Sequence, residues 1–318
     1  MPPCIQDTRF PPYGVLNQHF HDVISEHPLF PNDWIGFKGG AGSLVEQWVQ
    51  FKDATLDIIA ENLWPRFSAS QGWCGTSIAS MTLLTETDFL LLKDIRLLLE
   101  KPVSTKSPTT HREFFENEDT QAKPFGSMHG NYDPTLPFRL AEKLTRVAVW
   151  NLGAKAGTAA PQLKCILQRP RAYQLAAMWG REDFLCDRAI SSDSPSLCSG
   201  HAYEGTMMVG GILERFLVDS EPLTADNWSA LQQYAVDIGD RRVMAGVHYP
   251  SDNLASWLMV MRIAPSVFRH PRVKPMLWEA ISTRSKVFTA IRAALDNGTG
   301  EVYRPAVKAL EDAAAPVS

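Results

Sequence analysis

Three short stretches in the second half of the 318-residue chain carry side chains of the kind that handle an anion. The first, Lys164-Cys-Ile-Leu-Gln-Arg-Pro-Arg171, sets a lysine and an arginine seven residues apart. The second is Ser199-Gly200-His201, at the start of an apolar helical pattern, and the third runs from Arg242 to His248 and Asp252. A phosphoryl group in transfer spreads negative charge over three equatorial oxygens and asks for positioning and fixed positive charge. Lys164, Arg171 and Arg242 would supply that charge without a metal, arginine through a planar fork and lysine as a compact point charge. Gly200 would let the backbone approach the anion. Ser199 would cap the helix and donate to the same anion, with the helix N–H groups aimed there. Asp252, four residues after His248, can take a hydrogen bond from one ring nitrogen, fixing the tautomer and turning the other nitrogen outward. A lysine and an arginine at this spacing mean little alone. All three stretches in this order should arise by chance in about one chain in ten thousand.

These residues resemble the signature of the type 2 phosphatidic acid phosphatase and vanadium haloperoxidase superfamily: Lys-x6-Arg-Pro, Pro-Ser-Gly-His and Ser-Arg-x5-His-x3-Asp. The resemblance runs from about Lys164 to Asp252, with no motif match before residue 160. Ala172, Cys198 and Arg241 replace framing residues that supply no functional side chain in the family. The resemblance implies an all-α, single-domain helical bundle. It implies His248, His201 and Asp252 as the catalytic set, with Lys164, Arg171, Ser199, Gly200 and Arg242 on the phosphate. His248 would be the nucleophile, forming a phosphohistidine. His201 would protonate the leaving oxygen and then activate water. No metal or other cofactor is expected for the phosphatase.

The haloperoxidase branch uses nearly the same residues to hold vanadate, so the alternative is a vanadium-dependent haloperoxidase oxidising halide with hydrogen peroxide. Chain length, the GVHYPSD version of the third segment, and the lack of an aromatic or histidine in SSDSPSLC favour the phosphatase. A third reading is a non-catalytic phosphate-binding helical protein, for which both histidines and Asp252 would be gratuitous. The expected substrate is a small phosphorylated metabolite or an isoprenoid-type diphosphate.

The elements that must position these groups read as helices. Helical periodicity covers about 43–63, stopped by Pro65, and, after a Ser- and Gly-containing loop, Asp88 to Lys101, stopped by Pro102. Further patterns lie at about 137–152, 160–168, 200–217, 226–245, 251–263 and 274–296, and strand alternation is nearly absent. Pro250 suits the first position of a helix and would place Asp252 on a rigid element. Residues 102–135 read as a surface excursion, a candidate lid. The expected organisation is one continuous domain: an arm and helices framing the substrate side over 1–135, a catalytic core over 136–300, and a C-terminal tail over 301–318. The glycine-rich GFKGGAG (36–42) lacks the Lys-Ser/Thr of a nucleotide loop and reads as a turn. His19, His21 and His27 have no matching ligands at metal spacing and read as structural or surface histidines.

Composition sets the outer bounds. A net charge of −4 argues against a nucleic-acid partner. Five scattered cysteines without a CxxC pair suit a reducing compartment. No signal sequence and no bilayer-spanning apolar run is present, so the expectation is a cytoplasmic protein without membrane insertion. Nothing in the composition opposes a homo-oligomer.

Overall fold

The computed structural model describes residues 56–68, 70, 72–97, 102–104, 107–110, 160, 163–164, 167, 169–172, 175, 195–218, 223–244 and 246–316. Its long elements are helices: α1 (Ile78–Leu97), α2 (Gly200–Val218), α3 (Ala225–Met244), α4 (Pro250–Val267), α5 (Val273–Arg284), α6 (Lys286–Asp296) and α7 (Arg304–Ala314). Residues 56–62 are helical as well. Two small antiparallel hairpins accompany them, β1 (Arg66–Ser68) with β2 (Gly72–Cys74), and β3 (Pro102–Ser104) with β4 (Ser107–Thr110). The protein is all-α, as expected.

Helix α4 is the axis of the core. Every residue from Pro250 to Met261 is buried, which requires neighbours on all sides. Helices α1, α2, α5, α6 and α7 all pack on it. Trp257 of α4 meets the Phe288 ring of α6 edge-on, with centroids 6.1 Å apart. Helices α2 and α3 approach closely because position 239 is glycine. A Cβ there would lie 2.5 Å from the Ala202 Cβ, next to His201. The tight crossing fixes where the second motif sits against the start of the third.

Three expectations about elements are corrected. Helix α1 starts at Ile78, ten residues before the expected start at Asp88. Met81, Leu84 and Thr85 continue its buried stripe backwards, and Ser77 accepts the Ser80 N–H at 3.2 Å as a cap. The many Ser and Thr residues hide this turn in the sequence. The single helix expected over 274–296 is two, broken at Ser285, whose hydroxyl accepts the Phe288 N–H at 3.0 Å. The expected tail is folded instead. A 3-10 turn (Glu301–Tyr303) leads into α7, whose Ala306, Val307, Leu310 and Ala314 form a buried face.

Residues 102–104 and 107–110 of the expected excursion form the second hairpin. Its remainder, the helix expected over 137–152, GFKGGAG, His19, His21 and His27 lie outside the described residues. Among the described residues no helix is long and apolar enough to cross a membrane.

Candidate active site

The first turn of α4 builds the centre of the site. Pro250 occupies the first turn, where its missing N–H costs nothing, and Asp252 follows in the third helical position. The Asp252 Oδ2 accepts the Tyr249 backbone N–H at 2.9 Å, closing the helix start. The same oxygen accepts from the Ser196 hydroxyl and lies 2.9 Å from His248 Nδ1. Oδ1 accepts from Arg169 Nη1 at 3.0 Å. Burial would raise this carboxyl, but the Arg169 charge, His248 and Ser196 outweigh it and hold Asp252 well below the usual carboxylate range.

An ionised carboxylate only accepts, so His248 donates through Nδ1 and presents a lone pair at Nε2. Arg171 Nη1 stands 2.8 Å from that Nε2 and also donates to the Val247 carbonyl at 3.0 Å. Burial, then Arg171 and Lys164, push the imidazole well below its ordinary value, against the pull of Asp252. His248 is therefore neutral near pH 7, with its outward nitrogen basic and covered by an arginine.

Helix α3 delivers Arg242 beside it. Gly246 adopts φ 79°, a left-handed turn suited to glycine after a helix end. The chain then folds back so that Val247 and His248 both donate to the Arg242 carbonyl, at 3.2 and 3.3 Å. Helix α2 faces this turn. Ser199 caps it, accepting the Ala202 N–H at 3.3 Å, and donates its own N–H to the Asp252 carbonyl at 3.2 Å. Ser256 clips the same corner by donating to the Ser199 carbonyl at 2.7 Å. Among the described residues, a Cβ added at Gly200 would meet nothing within 4 Å.

His201 lies in the first turn of α2, buried, and its Nε2 has no hydrogen-bond partner among the described residues. Burial and then the charges of Arg242, His248, Arg171 and Lys164 hold it well below its ordinary value. Lys164 donates to the Pro195 carbonyl and to the Ser196 carbonyl at 3.3 Å. Burial and the Arg171 charge push its ammonium down to about 7. The structure thus brings Lys164, Arg171, Ser199, Gly200, His201, Arg242, His248 and Asp252 to one place. A concentration of buried cations around two neutral imidazoles is an environment that an oxyanion would relieve.

Sequence reasoning missed Arg169, Ser196, Asp88, Ser251 and Tyr303. Arg169 is fully buried between the rings of Tyr249 and Trp64, its Cζ 3.9 and 4.8 Å from the two centroids. Its Nη2 pairs with Asp88 at 2.8 Å, and its Nη1 donates to Ser251 Oγ at 2.6 Å. The only advance signal was a third cation inside the first motif segment. Cys198 is buried and its thiol is pushed up to about 11, so it is inert at neutral pH.

Fold and site together define an all-α protein with a buried, cation-lined histidine pair at the meeting of two helix starts. The chain matches no family model, no curated protein and no solved structure.

Proposed function

We propose that this protein is a metal-independent phosphatase that hydrolyses a phosphomonoester or diphosphate through a phosphohistidine, built on the acid phosphatase and vanadium haloperoxidase type of helical bundle. The observation that carries the reading is the geometry of His248: Nδ1 held 2.9 Å from Asp252, Nε2 facing Arg171 at 2.8 Å, and His201 within its field.

On binding, phosphate oxygens take the donors of Arg171, freeing the Nε2 lone pair, while Lys164 and Arg242 add charge. Nε2 attacks phosphorus, the bond from phosphorus to the leaving oxygen breaks, and that oxygen takes a proton from His201. Water then attacks the phosphohistidine, giving its proton back to His201 and releasing phosphate and neutral His248. Because neighbouring cations hold the free His201 neutral, its proton arrives with the substrate, whose negative charge raises the imidazole. The same cation cluster would hold orthovanadate as it would phosphate.

The test is phosphate release from a panel of phosphorylated metabolites and 4-nitrophenyl phosphate in excess EDTA, followed by trapping with labelled substrate in an alkaline quench, because the phosphorus–nitrogen bond survives base and is cleaved by acid. Metal-independent turnover with label on His248 is the expected result. Turnover lost in EDTA and restored by magnesium or zinc would sink the reading. Halide oxidation with vanadate and peroxide, without phosphate release, would favour the haloperoxidase instead.

A further inference from the structure

A second buried carboxylate stands behind the first. Asp88, on α1, is fully buried and takes a donor on every side. Oδ1 accepts the Tyr303 hydroxyl at 2.8 Å and the Ser251 N–H at 3.1 Å. Oδ2 accepts Arg169 Nη2 at 2.8 Å and the Ser251 hydroxyl at 2.5 Å. The four contacts and the Arg169 charge favour the ionised form of this carboxyl. Burial pushes the other way, raising Asp88 above its ordinary value.

Arg169 is the link between the two acids. One end of its fork meets Asp88, and the other meets Asp252 Oδ1 and Ser251 Oγ. The Tyr249 and Trp64 rings cover the guanidinium, which limits its movement to the plane of these contacts. The ordered chain is Tyr303 to Asp88 to Arg169 to Asp252 to His248. It joins the C-terminal turn and α1, neither of them part of the three motif segments, to the ring nitrogen that faces away from the anion site.

We propose that Asp88 is a positioning residue for His248, holding Arg169 so that Asp252 keeps one orientation against the imidazole, with Tyr303 bracing Asp88. The role deepens the phosphatase reading and rests on His248 being its working histidine. A carboxylate turned by even a fraction of an ångström would let the ring tilt, and Nε2 would leave the line of attack. Without Asp88, the buried Arg169 charge would fall on Asp252 alone and draw it from His248.

The experiment compares wild type, Asp88→Asn and Tyr303→Phe by NMR of the histidine-labelled protein at about pH 7, alongside 4-nitrophenyl phosphate kinetics. The His248 Nδ1 proton, held to Asp252, should exchange with solvent at least about tenfold faster in Asp88→Asn. The kcat should fall by about 10- to 100-fold with KM little changed, the usual cost of losing an outer partner of a working histidine. Tyr303→Phe should move both readouts in the same direction by only about two- to threefold. The His201 ring signal serves as the internal reference and should stay in place. A purely structural Asp88 would lower the melting temperature while leaving the His248 proton and kcat at wild-type values. That result in folded Asp88→Asn, or in Tyr303→Phe should Asp88→Asn not fold, overturns the proposal. If wild type does not turn over the phosphate ester, the phosphatase reading fails, and the NMR arm still decides the role of Asp88.

Discussion

Asp252 and Asp240 are both buried carboxylates that satisfy the first turn of a helix, yet their surroundings drive them apart. Asp252 closes its own helix, α4, and has Arg169 beside it. Asp240 reaches from α3 to cap α6, accepting the Ser285 hydroxyl at 2.8 Å and the Lys286 N–H at 2.7 Å. Burial and the like charge of Asp237 push Asp240 up to about 7, while Arg169, His248 and Ser196 keep Asp252 ionised far below that. The same structural device is thus a permanent anion in one place and a proton-sensitive cap in the other. A paired cation makes the difference, and only the permanent anion can orient a neutral imidazole on both sides of neutrality.

The sharpest way to break this contrast is to remove each charge. Asp252→Asn should cut turnover of 4-nitrophenyl phosphate by about four orders of magnitude, the scale seen when a histidine is left in the wrong tautomer. His248→Ala should give no acid-stable or base-stable phosphoenzyme at all. Retention of activity within tenfold in Asp252→Asn would mean that the carboxylate merely caps α4, as Asp240 caps α6. Arg171→Ala comes next, with kcat lower by about two to three orders of magnitude and weaker inhibition by orthovanadate. Unchanged turnover there would show that the contact with His248 Nε2 is not part of the chemistry.

His201→Ala should separate substrates rather than abolish activity. Alkyl phosphates, whose leaving oxygen needs a proton, should slow by about 100-fold, and aryl phosphates much less. Equal losses on both classes would remove His201 from the acid role. A smaller effect should come from Lys164. Its ammonium, held down to about 7, loses its proton as pH rises, so sulfate affinity in the free site should fall above neutrality. Calorimetric titration with sulfate, an anion of constant charge, reads this directly, and Lys164→Met should flatten the profile.

Asp240→Asn tests the other side of the comparison and should leave turnover unchanged. The folded-state value of Asp240 is raised, so its contribution to stability is complete below the ordinary carboxyl value near 3.8 and is lost as pH rises through about 7. Wild type should therefore gain on the Asn variant at about pH 5 relative to about pH 8, by about 2–4 °C in melting temperature for each kcal/mol gained. An identical difference at both values would mean that Asp240 does not titrate in this window.

Much of the site was legible because its grammar is local. His248 and Asp252 are four residues apart across a helix start, Pro250 announces that start, and Ser199 announces the next. Helix boundaries were less legible. The Ser- and Thr-rich opening of α1 gave no apolar rhythm strong enough to read. Ser285 breaks 274–296 with no proline or glycine beside it, because the cap needs Asp240 from 45 residues earlier. The C-terminal segment looked like a tail because alanines bury without announcing it, and its anchor, Tyr303, bonds to Asp88 across 215 residues.

From the sequence alone followed the all-α class, the identity of the cations and histidines of the candidate site, and the pairing of Asp252 with one ring nitrogen of His248. Those depend on residue type and on spacings within a turn or two of helix, which short-range sterics and hydrogen bonding dictate. Only the tertiary structure decided that Arg169 rather than Arg171 pairs with Asp252, and that Asp88 stands behind it. Two arginines separated by one residue are equivalent to any local rule. Burial decides between them. Arg169 goes into an aromatic slot between two carboxylates, where a guanidinium must be fully paired, while Arg171 meets the basic face of His248, where an arriving anion can claim it.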